Sequence, residues 1–153
     1  MYYLFYLIFI IILVIFDQIS KFYIINNYNL STKNVVIDGF FNITHVRNYG
    51  AGFSIMQNQR LFLVLVSACA IILFTYLLIK EKNKFNIFTY LLIISGSIGN
   101  LIDRCRLGYV IDFLDFYIFG YDFPVFNIAD CFITIGCFLL IINIFLEEKN
   151  AKN

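Results

Sequence analysis

Leu61 to Ile79 is a run of nineteen residues without a formal charge. A helix that crosses a bilayer needs about 20 predominantly apolar residues. Three other stretches have the same character: Met1 to Phe16, continuing less purely to Ile25, then Phe85 to Leu101, then Val125 to Leu146. The chain has 153 residues, 61% hydrophobic and only 14% charged. Soluble domains run at about 45–50% apolar and 25% charged. One small core cannot hide so much apolar surface. The expectation is an all-α membrane protein with four transmembrane helices, at about 2–25, 61–79, 85–102 and 125–146, in a single domain over 1–153. The first stretch lacks the basic leader and small-residue cleavage site of a removable signal peptide, so it reads as a retained span.

Four spans place the regions 26–60 and 103–124 together on one side. The termini and the connector Lys80-Glu-Lys-Asn-Lys84 share the other. Lys80, Lys82, Lys84, Lys149 and Lys152 stand against Lys21, Lys33, Arg47, Arg60, Arg104 and Arg106, so counting cations does not set the orientation. The compact lysine connector points to cytoplasmic termini. A net charge of +1 offers no basic face for nucleic acid.

Region 26–60 reads as a hairpin: Asn34 to Ile37, an Asp38-Gly39 turn, then Phe40 to Val46. Alternation puts Phe41, Ile43 and His45 on one face and Asn42, Thr44 and Val46 on the other. The glycines of Arg47 to Ser54 allow tight turns. A lone hairpin is marginal in water, so this small extracytoplasmic sheet needs the membrane surface or the helices as support. In the third span, Ser95 and Gly99 have the small-xxx-small spacing for close helix contact. Cys69, Cys131 and Cys137 lie in apolar runs and read as buried small hydrophobes; Cys105 has no evident partner. His45 is the only histidine and no carboxylate is spaced to join it on a metal.

Five of the ten acidic residues fall between positions 100 and 130: Asp103, Asp112, Asp115, Asp122 and Asp130. Ionisable groups close to hydrocarbon are costly and mark function by default. Structural roles are also available. Asp103 can pair with Arg104. Asp130 can be a capping carboxylate if Asn127 starts the fourth helix. Asp115 and Asp122 can be interfacial charges. Against that, region 103–124 joins two spans at one surface and folds back over the bundle, which can bring Asp112 to Asp130. Two carboxylates in contact share a proton. One then activates water while the other protonates a carbonyl or leaving group. No Ser-Lys or Cys-His pair competes. Spacing alone leaves a dyad and a scatter of structural aspartates equally open. A proton-coupled carrier using Asp17, Asp112 and Asp130 requires carboxylates spread through the membrane depth, whereas these cluster at one surface.

Five stretches carry a resemblance. Asp17-Gln-Ile-Ser-Lys21, Val46-Arg-Asn-Tyr-Gly-Ala-Gly-Phe-Ser54, Gly99-Asn-Leu-Ile-Asp-Arg104, Gly108-Tyr-Val-Ile-Asp-Phe113 and Phe126-Asn-Ile-Ala-Asp130 together, in this order, resemble the lipoprotein signal peptidase (signal peptidase II) family. The resemblance implies a four-span aspartyl peptidase of the bacterial inner membrane, with cytoplasmic termini and its site at the outer face. Its substrates are prolipoproteins, cut immediately before a cysteine that bears a diacylglyceryl group. It implies a catalytic pair at Asp112 and Asp130, with Asn48, Asn100, Asp103, Arg104 and Asn127 around them and Asp17 and Lys21 in support. It implies no cofactor and no metal, membrane lipid as surroundings, a sheet that cradles substrate, and inhibition by globomycin. A monomer is the default expectation. Ser95-Gly-Ser-Ile-Gly99 stands in place of a more usual Gly-Gly-Ala-x-Gly, and Gly52 in place of a frequent alanine; both exchange small residues for small ones.

Overall fold

The computed structural model describes residues 2–50 and 56–151, with side chains through Lys149. Half of the turn expected at 47–54, including Gly52, lies outside the described residues, as does Lys152. The order is α1 (Tyr2–Asn27), β1 (Lys33–Ile37), β2 (Phe41–Asn48), α2 (Arg60–Lys80), α3 (Lys84–Arg106), β3 (Val110–Ile118), β4 (Tyr121–Asp122) and α4 (Ile128–Ala151). All four helices are long and apolar enough to cross a membrane. α3 is the central one, with α1, α2 and α4 packed around it. The outer three present Leu, Ile and Phe side chains to the surroundings. Cys69 accordingly faces outward rather than lying buried, because α2 packs mainly on α3 and its far side is left to lipid.

Two boundaries next to the polar region differ from the hydropathy reading in ways that bear on the site. α3 continues to Arg106, since Asp103 and Arg104 find partners that let the helix persist. α4 starts at Ile128 rather than Val125. The apolar segment before it runs along β3 instead: Phe123 N donates to Phe116 O at 2.9 Å, and Phe126 N to Leu114 O at 3.1 Å.

The sheet is larger than the expected hairpin. Four antiparallel strands lie in the order β1-β2-β3-β4. The Asp38-Gly39 turn forms, with Gly39 at φ +67°, a left-handed value that suits glycine. β2 then pairs with β3, Phe41 opposite Phe116 and Val46 opposite Asp112. Three steps along β2, from Ile43 to Val46, match two along β3, from Leu114 to Asp112. This bulge breaks the simple alternation expected of β2, and Thr44 and His45 are both buried in succession. Ile24 of α1 packs with Ile111 and Phe113 of β3, which fixes the sheet to the end of the bundle.

Close helix contact uses glycines, the expected Gly99 among them, beside a fully buried Ser95. Ser95 donates to its own Leu91 carbonyl at 2.7 Å. A Cβ on Gly96 would lie 2.3 Å from the Ala129 carbonyl oxygen, and one on Gly99 would lie 2.5 Å from Asp17 Oδ2. Gly136 on α4 gives the same clearance to Ile93.

Gly99 makes room for a buried charge cluster. Lys21 Nζ lies 2.9 Å from Asp17 Oδ2 and 2.9 Å from Asp103 Oδ2, and donates to Asn100 Oδ1 at 2.9 Å. Asp103 therefore pairs with Lys21 and not with its neighbour Arg104, whose guanidinium donates instead to the Gly50 carbonyl at 3.0 Å. Gln18 donates to both carboxylates. Asp17 Oδ1 accepts the Ala129 N–H at 3.0 Å, and Asp103 Oδ2 accepts the Ile111 N–H at 3.3 Å. One cluster thus ties α1, α3, the start of β3 and the start of α4. Removing the cation strands two buried carboxylates, so Lys21→Met is expected to destabilise the protein by about 3–5 kcal/mol. Gly96→Ala forces a methyl against backbone and is expected to cost about 1–3 kcal/mol. Melting temperatures of the detergent-solubilised variants check both; unchanged values would contradict the packing described.

Candidate active site

Asp112 sits on β3, where the pairing Val46 to Asp112 and Asn48 to Val110 brings the end of β2 beside it. The residue is 2% exposed. Asn48 Nδ2 donates to Oδ2 at 2.8 Å, and Asn127 Nδ2 donates to Oδ1 at 2.6 Å.

Asp130 sits in the first turn of α4. Asn127 is the residue just before that helix, and its Oδ1 accepts the Asp130 N–H at 2.9 Å. In return Asp130 Oδ2 accepts the Asn127 N–H at 3.3 Å. This is a reciprocal capping box, so the capping role anticipated for Asn127 and Asp130 is present. Asp130 Oδ1 remains, and accepts Asn100 Nδ2 at 2.7 Å.

The amides are oriented by their neighbours. Lys21 has only protons to offer, so Asn100 must turn its Oδ1 toward it. That leaves Asn100 Nδ2 for Asp130. Asn127 Nδ2 reaches both Asn100 Oδ1, at 3.2 Å, and Asp112. A continuous path of hydrogen bonds therefore runs from Lys21 through Asn100 to Asp130, and through Asn127 to Asp112. The nine residues expected at the site all belong to this assembly: Asp17 and Asp103 hold Lys21, and Arg104 holds the chain after Asn48 at Gly50.

Asp112 and Asp130 line one cavity of about 800 Å³. Asn48, Asn100 and Arg104 share its polar end. The rest is mostly apolar, with Leu63 and Val66 from α2, Ile133 and Ile135 from α4, and Phe116 and Phe123 from the sheet. Cys131 also lines it. Burial, and then the neighbouring Asp130 charge, push the Asp112 carboxyl up to about 7, against the opposing pull of the Asn48 and Asn127 amides. A carboxyl that keeps its proton near neutrality, beside a second carboxyl in one cavity, has the chemistry of a shared-proton pair. No group of three His, Cys, Asp or Glu is placed to hold a metal ion among the described residues.

Sequence reasoning left out two features. Gln18 bridges Asp17 and Asp103, and only its position beside Asp17 hinted at this. Asp115 is fully buried rather than an interfacial charge. It accepts Asn42 Nδ2 at 3.3 Å and lies 3.2 Å from Lys33 Nζ. Lys33 also donates to the Tyr117 hydroxyl and lies 3.6 Å from Asp122, so Asp122 is paired too. The Tyr117 hydrogen bond first, with both carboxylates, holds the Lys33 ammonium above the usual lysine range. This cluster crosslinks the four strands away from the cavity. It could be found only from strand register, which opposes Asn42 to Asp115.

The profile of Signal peptidase (SPase) II matches residues 9–146. Lipoprotein signal peptidase of Staphylococcus aureus is 39% identical over 146 residues, covering 94% of this chain and 89% of the relative. The protein of that name from strain JH9 is 39% identical over 145 residues, covering 93% and 88%. A bacterial membrane enzyme solved by the in meso method at 2.3 Å superposes with a TM-score of 0.90 at 38% identity, covering 95% of this chain and 90% of the other. Another, solved at 1.9 Å, gives 0.82 at 39% identity and 91% of each chain. With its four spans, its sheet and this degree of likeness, the chain is a multi-pass membrane peptidase that belongs to the signal peptidase II family.

Proposed function

We propose that this chain is an aspartyl endopeptidase that cleaves the signal peptide from diacylglyceryl-modified prolipoproteins, immediately before the lipidated cysteine. The carrying observation is the pair Asp112 and Asp130, each held by side-chain amides and both lining one largely apolar cavity. The cavity walls suit a substrate that arrives laterally from the lipid. The sheet lies beside the carboxylates and away from the helix midpoints, which supports a site at a membrane surface; the lysine connector between α2 and α3 favours cytoplasmic termini, and with them a site at the outer face. The whole chain acts as one domain, as a monomer.

Water between the two carboxyls attacks the peptide carbonyl carbon. The ionised aspartate takes a proton from that water. The protonated one, a part that suits Asp112 with its carboxyl at about 7, donates to the developing oxyanion. Collapse of the tetrahedral intermediate breaks the C–N bond, and the amine leaves with a proton from the pair. No acyl-enzyme forms, so serine- and cysteine-directed acylating traps capture no intermediate. Asn48, Asn100 and Asn127 hold the carboxyls in place, and Arg104 steadies the backbone next to Asn48. Globomycin blocks the reaction by occupying the pair.

Asp112→Asn and Asp130→Asn each remove a proton carrier without changing shape. Each is expected to lower cleavage of a diacylglyceryl peptide by at least about 100-fold, with the protein still inserted and folded. Full cleavage by either variant would sink the assignment. The pH dependence has a definite sign. Asp112 binds its proton below about pH 7 and loses it above, and the mechanism needs one proton on the pair. The kcat/KM of the wild type is therefore expected to fall as pH rises through about 7, and a profile flat to pH 9 would contradict the shared proton.

A further inference from the structure

The cavity below the two aspartates contains hydroxyls that the hydrolysis leaves unused. Ser97 lies on α3, three residues before Asn100, and Thr134 lies on α4, four residues after Asp130. At 1.5 Å per residue, each sits about one helical turn deeper among the spans than the polar end of the site. Both line the cavity; Ser97 is buried, at 6% exposed, whereas Thr134 lies on an exposed part of α4. The hydroxyls of Ser67, Thr89 and Ser95 donate back to the carbonyl four residues earlier, at 2.7–2.9 Å. Ser97 and Thr134 make no such bond, and none to any other described residue.

A buried hydroxyl such as that of Ser97 is almost always hydrogen-bonded in native proteins, and hydrocarbon offers no partner to it or to the exposed Thr134. Two free hydroxyls on packed neighbouring helices, facing an apolar slot, fit a ligand that is itself apolar yet carries acceptors. Fatty-acyl esters have that chemistry. Their chains match the Leu63, Val66 and Ile133 walls, and their carbonyls accept from hydroxyls.

We propose that Ser97 and Thr134 form a shelf that binds the ester carbonyls of the substrate's diacylglyceryl group. The proposal rests on the peptidase reading and adds to it the residues that recognise the lipid linkage. A cysteine side chain, a thioether and a glyceryl unit separate those esters from the scissile peptide. With the peptide at Asp112 and Asp130, the esters extend into the cavity toward the level of the shelf. A site built to hydrogen-bond a group discriminates against the analogue that lacks it.

The test uses purified full-length protein and two peptides, one carrying a diacylglyceryl (diester) and one a dialkylglyceryl (diether) cysteine, in bicelles of ether-linked lipid. The wild type is expected to prefer the diester. Ser97→Ala and Thr134→Val are each expected to lower its kcat/KM about three- to tenfold, mainly through KM, and to leave diether cleavage unchanged. The unchanged diether rate also reports that the variants are folded. Equal losses on both peptides, or no loss on either, overturn the shelf. Bulk phospholipid carries the same esters, so the measurement is repeated in diester-lipid bicelles. If Ser97→Ala there relieves an inhibition seen only with diester lipid, the hydroxyls hold bulk lipid and the substrate assignment is overturned. If the wild type cleaves neither peptide, the peptidase reading fails. The shelf is then judged by equilibrium binding of the same peptides: a diester preference lost in Ser97→Ala sustains it, and no preference overturns it.

Discussion

The ammonium of Lys21 has three protons, and all three have acceptors: Asp17, Asp103 and Asn100. Two carboxylates against one cation leave a negative excess in a buried place. Side-chain and backbone donors offset it: the Gln18 amide and the N–H groups of Ala129 and Ile111. The last two exist in the right position only when α4 and β3 start where they do. Satisfying the charge and completing the topology are therefore one requirement. Buried ion clusters add little net stability compared with apolar packing, while a cluster missing a member is costly. The energetic consequence is a penalty on wrong arrangements. The third proton of Lys21 carries that discrimination into the site, because it sets which way the Asn100 amide faces and so which atom meets Asp130.

The bilayer imposes the second constraint. α1, α2 and α4 have little of their apolar surface covered by protein, whereas α3 is mostly buried. Their outer faces require lipid. A small open sheet has the opposite need, since β1 is an edge strand with all five residues exposed, and unpaired backbone groups are not tolerated in hydrocarbon. The sheet must sit at the end of the bundle, in contact with water. The cavity forms where these two environments meet. Such a boundary suits hydrolysis of a membrane-held signal peptide, because one side is open to water and the other to hydrocarbon.

The spans were legible because hydropathy alone encodes them. Their ends were not, because ends depend on partners. Asp103 and Arg104 look like the beginning of a loop until Lys21 and Gly50 supply their contacts. Val125 and Phe126 look like helix until β3 supplies theirs. The first hairpin was legible from Asp38-Gly39. β3 was not, because Asp112 and Asp115 are three apart, a spacing that suggests one face of a helix and in a strand falls on opposite faces. That same parity explains the misjudged Asp115, which points away from Asp112 and into the Lys33 cluster. The residues around Asp112 and Asp130 were legible as a group from the motifs, whereas the connection of Lys21 to Asp130 through Asn100 is visible only in three dimensions.

The structural and chemical readings of Asp130 began as alternatives, and atom by atom they are compatible. Its Oδ2 closes the capping box with the Asn127 N–H, while its Oδ1 meets Asn100. Asn127 divides in the same way. Its Oδ1 caps the helix, which turns its Nδ2 outward to Asp112 and Asn100. The local rule that starts α4 is thus what aims a donor at the second carboxylate. A site built on the rigid first turn of a helix holds its geometry better than one built on a loop. The capping preference of an asparagine followed three residues later by an aspartate therefore places two carboxyls, eighteen residues apart in sequence, at one end of a cavity.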